Sequence, residues 1–280
     1  MPMKYAFNTW VYGSFPVWVP SYPLEDVIRR LGRIGYDGIE IGCAAPHAWP
    51  AHLSAARRRE LRGVLQSEGL APVSLLPAPG GGPGNNAASP LAEERQTTLD
   101  HYKEVVDLAA DLGAPLVLYI AGWLVFGTTR EEGFERSTEC LAQVARHAAT
   151  RGVTIVVEPT SADSNLIETA DDALELMRAA GEPNVKVMFD TYHVMYRNEV
   201  SSDYVYAMAP HLAHVHFADT DRLAPGDGEV NWRGVLQAVK DIGYDGYLTM
   251  EIGFNNRRGD PDSYAYRALS YLKALERELG

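Results

Sequence analysis

The sequence predicts an α/β fold, a (β/α)8 TIM barrel forming one domain over residues 1–280. Three observations predict it. Strand-like and helix-like runs alternate eight times along the 280 residues, with no composition shift to mark a boundary. One connection occurs twice, as Ile34-Gly35-Tyr36-Asp37-Gly38 before Ile39-Glu40-Ile41 and as Ile242-Gly243-Tyr244-Asp245-Gly246 before Leu248–Ile252. Two copies of a helix-to-strand turn near opposite ends of the chain suit a closed barrel, in which the first strand pairs with the last. Finally, four runs in the second half each end on a side chain able to bind a metal. An open doubly wound sheet is the alternative, but no Gly-rich phosphate loop follows the first strand.

Tyr5–Trp10 is the first strand, with Asn8 and Trp10 near its end. Leu24, Val27, Ile28, Leu31 and Ile34 then fall at helical spacing and stop at Gly35, a C-terminal cap glycine. Gly38–Gly42 is strand two, and the following loop carries Pro46, His47 and Trp49. Ser54–Glu68 is a helix opened by its serine cap and closed by Gly69. After strand three, Pro72–Leu76, the Gly- and Pro-rich stretch Pro77–Pro90 has the composition of a lid. Helix Leu91–Leu112 ends at Gly113, strand four is Leu116–Ala121 followed by Gly122-Trp123, and helix Arg130–Arg151 ends at Gly152. Strands Val153–Glu158, Val185–Asp190, Ala213–Phe217 and Tyr247–Glu251 complete the barrel, with helices Ala170–Ala180, Ser202–Ala209, Trp232–Ile242 and Pro261–Leu279.

Composition bounds the function. The formal charge of −12 argues against nucleic acid and against an anionic membrane surface. Two cysteines, Cys43 and Cys140, lie in unrelated segments and fit a reduced protein. No charged-then-apolar leader opens Met1–Phe7 and no apolar run has membrane-spanning length, so a cytoplasmic protein is expected.

The strand ends carry the chemistry. An apolar run buried on both faces suits a parallel sheet, and an acid at its end is costly to bury unless paired or bound to a cation. Glu158, Asp190, His216 and Glu251 occupy those ends, at the barrel face where active sites lie. Any one of them is explicable as an ordinary polar strand end, but the four together are not. Side-chain alternation puts Val156, Met188, His214 and Thr249 one layer deeper on the same inward face. Three carboxylates and one imidazole suit Mn²⁺, Co²⁺ or Mg²⁺ and disfavour structural zinc. His193 can reach back over the Asp190 strand end, and Arg222 has the forked charge to hold substrate oxygens, or is a solvated loop arginine. His47 and Trp49 either shape a substrate wall or pack simply. Glu40 is a further inward acid or, the preferred reading, a partner for a nearby base. His214 reads as a hydrogen-bonded core histidine, and His52, His101, His147 and His211 as surface or helix residues.

These residues resemble the xylose-isomerase-like superfamily of sugar isomerases and epimerases. Within it the likeness is strongest to the ketose 3-epimerases (tagatose/allulose type) and the fructoselysine 3-epimerase branch. It covers nearly the whole chain and is carried mainly by the intervals of 32, 26 and 35 residues from 158 to 190 to 216 to 251. Asp190-Thr191-Tyr192-His193, His214-Val215-His216 with Arg222, and the turn Gly226-Asp227-Gly228-Glu229 match as well, as do Gly35–Ile41 and Pro46-His47-Ala48-Trp49. One departure follows Glu158. The sugar epimerases carry Asn-Arg-Tyr-Glu there, whereas Pro159-Thr160-Ser161-Ala162-Asp163 looks like the fructoselysine branch with one residue deleted. Asp163 then takes the glutamate's place, one carbon shorter.

The resemblance implies one divalent metal, Mn²⁺ before Co²⁺ or Mg²⁺, held by Glu158, Asp190, His216 and Glu251. It implies a ketose or ketose-derivative substrate and C3 epimerisation through a metal-stabilised enediolate, with Glu158 and Glu251 as opposed proton-transfer groups. His193, Arg222, Asp163, Asn8, His47, Trp49 and Trp123 would contact or enclose the sugar, with Trp10 and the Gly80–Asn86 loop excluding water. A homodimer or homotetramer is expected, with Tyr264, Tyr266 and Tyr271 available for subunit contact or for packing on the barrel. The alternatives are a keto-inositol dehydratase-type or other C–O-cleaving lyase and an aldose–ketose isomerase. The charge disfavours an endonuclease IV-type hydrolase, and the intact ligands disfavour a non-catalytic sugar-binding barrel.

Overall fold

The structure, a computed structural model, describes residues 2–13, 21–77, 85–253 and 259–280. Eight parallel strands form a closed barrel in chain order: β1 Lys4–Asn8, β2 Gly38–Cys43, β3 Ala71–Pro77, β4 Leu116–Ile120, β5 Thr154–Glu158, β6 Val185–Asp190, β7 Leu212–Phe217 and β8 Tyr247–Met250. Closure is made by β1 on β8, with Tyr5 opposite Leu248 and Phe7 opposite Met250. The duplicated turn flanks this seam, since it feeds β2 and β8, the two neighbours of β1. In the first copy Asp37 ties β1 to the start of β2, its carboxylate accepting from the Tyr5 amide at 2.9 Å and its own amide donating to the Tyr5 carbonyl at 2.8 Å.

The helices are α1 Leu24–Ile34, α2 Ala55–Glu68, α3 Ala92–Leu112, α4 Arg130–Arg151, α5 Ala170–Ala180, α6 Thr191–Tyr196, α7 Ser201–Met208, α8 Trp232–Asp241 and α9 Pro261–Leu279. The expected glycine stops hold: Gly35, Gly69, Gly113 and Gly152 all adopt the left-handed conformation that closes a helix. Ser54 caps α2 by accepting from the Arg57 amide. Among the described residues one α-helix exceeds the expected eight. The six-residue α6 starts directly at the end of β6 and is too short to show a period. It begins because the Asp190 carboxylate accepts from the Tyr192 amide at 2.8 Å and caps it. His101, expected to be a surface or helix residue, lies on helix α3 and is buried there, because the loop after β2 lays Trp49 over it in a stack of 4.8 Å.

Two apolar layers hold the barrel. The outer one lies between strands and helices and includes Phe7, Ile39, Ile41, Phe189, Phe217 and Trp232. The inner one, Leu76, Leu118, Val156 and Met188, fills the barrel beneath the strand ends, with Trp10 leaning on it. His214 and Thr249 are fully buried, as the alternation of β7 and β8 requires. Of the expected lid, residues 78–84 lie outside the described residues, whereas Asn86–Ser89 are buried. Asn86 clamps the turn after β4, its Oδ1 accepting from Trp123 N and its Nδ2 donating to Trp123 O. Gly122, at φ +87°, is required there, because a Cβ would come within 2.2 Å of Asn86 Oδ1. Among the described residues no helix is long and apolar enough to cross a membrane. Tyr266 and Tyr271 are exposed, while Tyr264 leans on the core.

The inner layer is small and closely confined, so a cavity there has little room to collapse. Leu118→Ala is expected to destabilise the protein by about 2–5 kcal/mol, read as a lower midpoint in urea with an unchanged slope.

Candidate metal centre

The ends of β5, β6, β7 and β8 bring Glu158, Asp190, His216 and Glu251 together. Each offers a ligand atom, and these atoms lie within 4.8 Å of one another. Register makes the cluster: Asp190 stands opposite His216, and His216 opposite Thr249, two residues before Glu251. Asp190 and His216 are fully buried, and Glu158 and Glu251 nearly so.

Two buried atoms facing into this cluster make no hydrogen bond, Glu158 Oε1 and His216 Nδ1. His216 Nδ1 lies 3.5 Å from Glu158 Oε1 and 3.3 Å from Glu251 Oε2. The other ring nitrogen, Nε2, faces Glu40 Oε1 at 2.8 Å. Nδ1, once free of its proton, would converge with three carboxylates as a donor set for a hard or borderline divalent cation, and the set has no thiolate. The residues therefore fit the metal that the sequence leads one to expect.

Arg222 enters the same cluster. Its Nη1 donates to Asp190 Oδ2, to Glu251 Oε2 and, at 3.2 Å, to the Glu251 carbonyl, while its guanidinium lies 4.2 Å from the Tyr192 ring. The backbone holds it there under strain, since Asp221 and Arg222 have φ of +56° and +62°. The Arg222 carbonyl accepts from Gly253 N at 2.6 Å, and a Cβ on Gly253 would meet Arg222 Cβ at 2.9 Å. Asp219 organises the rest of the loop by accepting from Thr220 N, Gly226 N, Val230 N and Trp232 Nε1. Only the Gly226-Asp227-Gly228 turn marks that loop in sequence, and nothing there shows Asp219 to be its hub.

His193 lies beside the cluster. Its Nδ1 accepts from Ala162 N at 3.2 Å, which leaves Nε2 as the protonated nitrogen, 3.7 Å from Asp163 Oδ2. Burial, reinforced by the Arg222 charge, lowers its pKa to about 3, so it acts as a neutral donor. Asn8 also reaches the cluster, donating to Glu251 Oε1 at 3.4 Å and to Glu40 Oε1 at 2.6 Å. The remaining aromatic candidates have these contacts. His47 pairs through Nε2 with the Tyr22 carbonyl at 2.8 Å, Trp49 stacks on His101, and the Trp123 backbone is pinned by Asn86.

Residues 28–275 match the family described as "Xylose isomerase-like TIM barrel". The chain belongs to that family. Relatives of this xylose isomerase-like chain include the fructoselysine 3-epimerase of Shigella flexneri, 28% identical over 271 residues, covering 94% of this chain and 97% of that protein. The D-psicose 3-epimerase of Ruminiclostridium cellulolyticum is 26% identical over 240 residues, 84% of this chain and 79% of the relative. A crystal structure of D-psicose 3-epimerase with D-tagatose from Clostridium cellulolyticum H10 superposes with a TM-score of 0.84 over 98% of this chain and 99% of that one, at 22% identity. The superposition confirms the barrel.

The charges in the cluster set its pH behaviour. Burial raises the Glu158 and Asp190 carboxyls, Asp190 to about 8, against the opposing charges of His216 and Arg222. Burial would also raise Glu251, but Arg222 and His216 overcome it and hold that carboxyl low. Burial disfavours the His216 imidazolium, yet Glu40 and Glu251 raise it well above the usual histidine range. Metal binding needs Asp190 and His216 Nδ1 free of protons, so it must release protons over this range. Mn²⁺ affinity should rise by at least about tenfold from pH 6 to pH 8. Calorimetry in two buffers of different ionisation enthalpy checks this; an affinity flat with pH and no proton release would contradict it.

Proposed function

We propose that this protein is a divalent-metal-dependent epimerase that inverts C3 of a ketose or ketose derivative. The observation that carries the reading is the placement of two carboxylates, Glu158 and Glu251, from two different strand ends, both within 3.5 Å of His216 Nδ1 in one buried cluster. The names of the relatives, fructoselysine 3-epimerase and D-psicose 3-epimerase, support it. Glu158, Asp190, His216 and Glu251 would hold the ion, for which Mn²⁺ is our assignment and Co²⁺ and Mg²⁺ suit the same donors. A divalent cation held there would supply Lewis acidity, which makes a C–H on the carbon next to a carbonyl more acidic.

The protein's own groups do the rest. One of the two glutamates takes the C3 proton as a carboxylate, and the other, protonated, returns a proton to the opposite face. Inversion requires two such groups, because a single base returns the proton to the face it came from. Arg222 supplies permanent positive charge next to both Glu251 and Asp190 and orients the oxygens at the carbonyl end. His193, neutral with its proton on Nε2, donates to a substrate oxygen on the same side, with Asp163 next to that nitrogen. The buried walls around Glu158 and Asp190 keep bulk water from these oxygens.

Proton NMR of fructose, tagatose, ribulose and fructoselysine with Mn²⁺-loaded protein in D₂O tests the reading. Deuterium should enter at C3 as a new epimer appears. Exchange at C1 would instead mean aldose–ketose isomerisation, and loss of a β hydroxyl would mean a lyase. Glu251→Gln should leave the far-UV circular dichroism unchanged and lower kcat by about 10²-fold or more, the scale of general acid–base catalysis. Near-normal turnover in that variant would remove Glu251 from the proton transfer.

A further inference from the structure

Beneath the cluster lies a polar group that no step above uses. Glu40, on β2, is completely buried in the middle of the barrel. A lone carboxylate there would be prohibitively costly, yet its two oxygens accept four hydrogen bonds. Oε1 takes His216 Nε2 at 2.8 Å and Asn8 Nδ2 at 2.6 Å, and Oε2 takes His214 Nε2 at 2.9 Å and Ser74 Oγ at 2.6 Å. Three of the strands put it there by register, since Asn8 stands opposite Glu40 and Glu40 opposite Ser74. An irregularity between Ile39 and Glu40 in the β2–β3 pairing falls at this step.

Glu40, His214 and His216 are themselves close enough to suggest a metal site of their own. Their hydrogen bonds fit a different part: both imidazoles point Nε2 at the carboxylate, and each of its oxygens has two partners. What the arrangement does is dictate proton positions. An ionised carboxylate only accepts, so His216 must carry a proton on Nε2, and Nδ1, which faces Glu158 and Glu251, is the nitrogen that becomes the ligand atom once it gives up its own proton. The Asn8 amide is fixed in turn, because its Oδ1 accepts from Trp10 N at 2.8 Å. Its Nδ2 therefore bridges Glu40 to Glu251 Oε1.

We propose that Glu40 is the positioning residue of the metal centre, setting the His216 tautomer and ring orientation directly and the Glu251 carboxylate through Asn8. The proposal rests on the reading of His216 as a metal ligand. A carboxylate behind a ligating imidazole both fixes the ring and strengthens its basicity. Glutamine at this position would test the difference between charge and shape. It keeps the size but has one accepting oxygen, so its NH₂ must face one of the two imidazoles. If that imidazole is His216, the proton moves to Nδ1 and blocks the ligand atom.

The experiment measures Mn²⁺ affinity by calorimetry for wild type, Glu40→Gln and Glu40→Asp. Alongside it, the imidazole N–H protons are recorded by NMR in the Zn²⁺-loaded, histidine-¹⁵N-labelled proteins. Wild type should bind Mn²⁺ and show a downfield His216 Nε2–H resonance. Glu40→Gln should bind about 10–100-fold more weakly and lose that resonance. Glu40→Asp, which keeps the charge but is shorter, should fall between the two. If Glu40→Gln does not fold, Glu40→Asp alone decides by the same readouts. Unchanged affinity with an unchanged His216 resonance in the folded variant would overturn the proposal while leaving the metal reading intact. A wild-type protein that binds no Mn²⁺ would overturn both.

Discussion

The constraint on which the upper half of this barrel depends is the presence of three buried carboxylates, Glu158, Asp190 and Glu251, in one cluster. Water cannot solvate them there and like charges at such spacing cannot all ionise unassisted. The structure meets the problem with positive charge and donated protons. Arg222 reaches Asp190 and Glu251, His216 Nδ1 lies within 3.5 Å of both Glu158 and Glu251, and two of the three carboxyls are shifted upward. A fold that builds such a cluster carries a standing electrostatic cost, and a divalent cation is the group that relieves it most completely.

Much of the surrounding architecture follows from holding that cluster in place. The apolar plug of Leu76, Leu118, Val156 and Met188 gives it a dry floor. Glu40 connects β1, β2, β3 and β7 through four hydrogen bonds immediately behind His216. Asp219 freezes the loop after β7, and the contact with Gly253 maintains Arg222 in a left-handed conformation that a non-glycine residue seldom adopts. Strain of this kind persists only where its surroundings over-determine it, which marks Arg222 as a built part of the site rather than a solvated loop residue.

The barrel itself was legible along the chain because parallel strands buried on both faces read as continuous apolar runs, and glycine stops punctuate the helices. The four cluster residues were legible for the same reason, as polar groups ending otherwise apolar runs. Two things were not. Helix α6 has only six residues and is nucleated by Asp190, a side chain whose more visible feature is its place at a strand end. His101 has the spacing of a helix residue with no sign of which face is covered, and the cover comes from Trp49, more than fifty positions earlier.

By itself the sequence determined which residues lie at strand ends and which chemistry they bring, because side-chain alternation and burial are local properties of a strand. It also carried the duplicated turn that foreshadows barrel closure. Only the tertiary structure decided how those groups meet. That Glu40 serves His214 and His216 together, that Asn8 links Glu40 to Glu251, and that Arg222 bends into the carboxylates rather than out to solvent depend on the register of strands far apart in the chain. Register across a closed barrel is a collective property of all eight strands, and no single segment contains it.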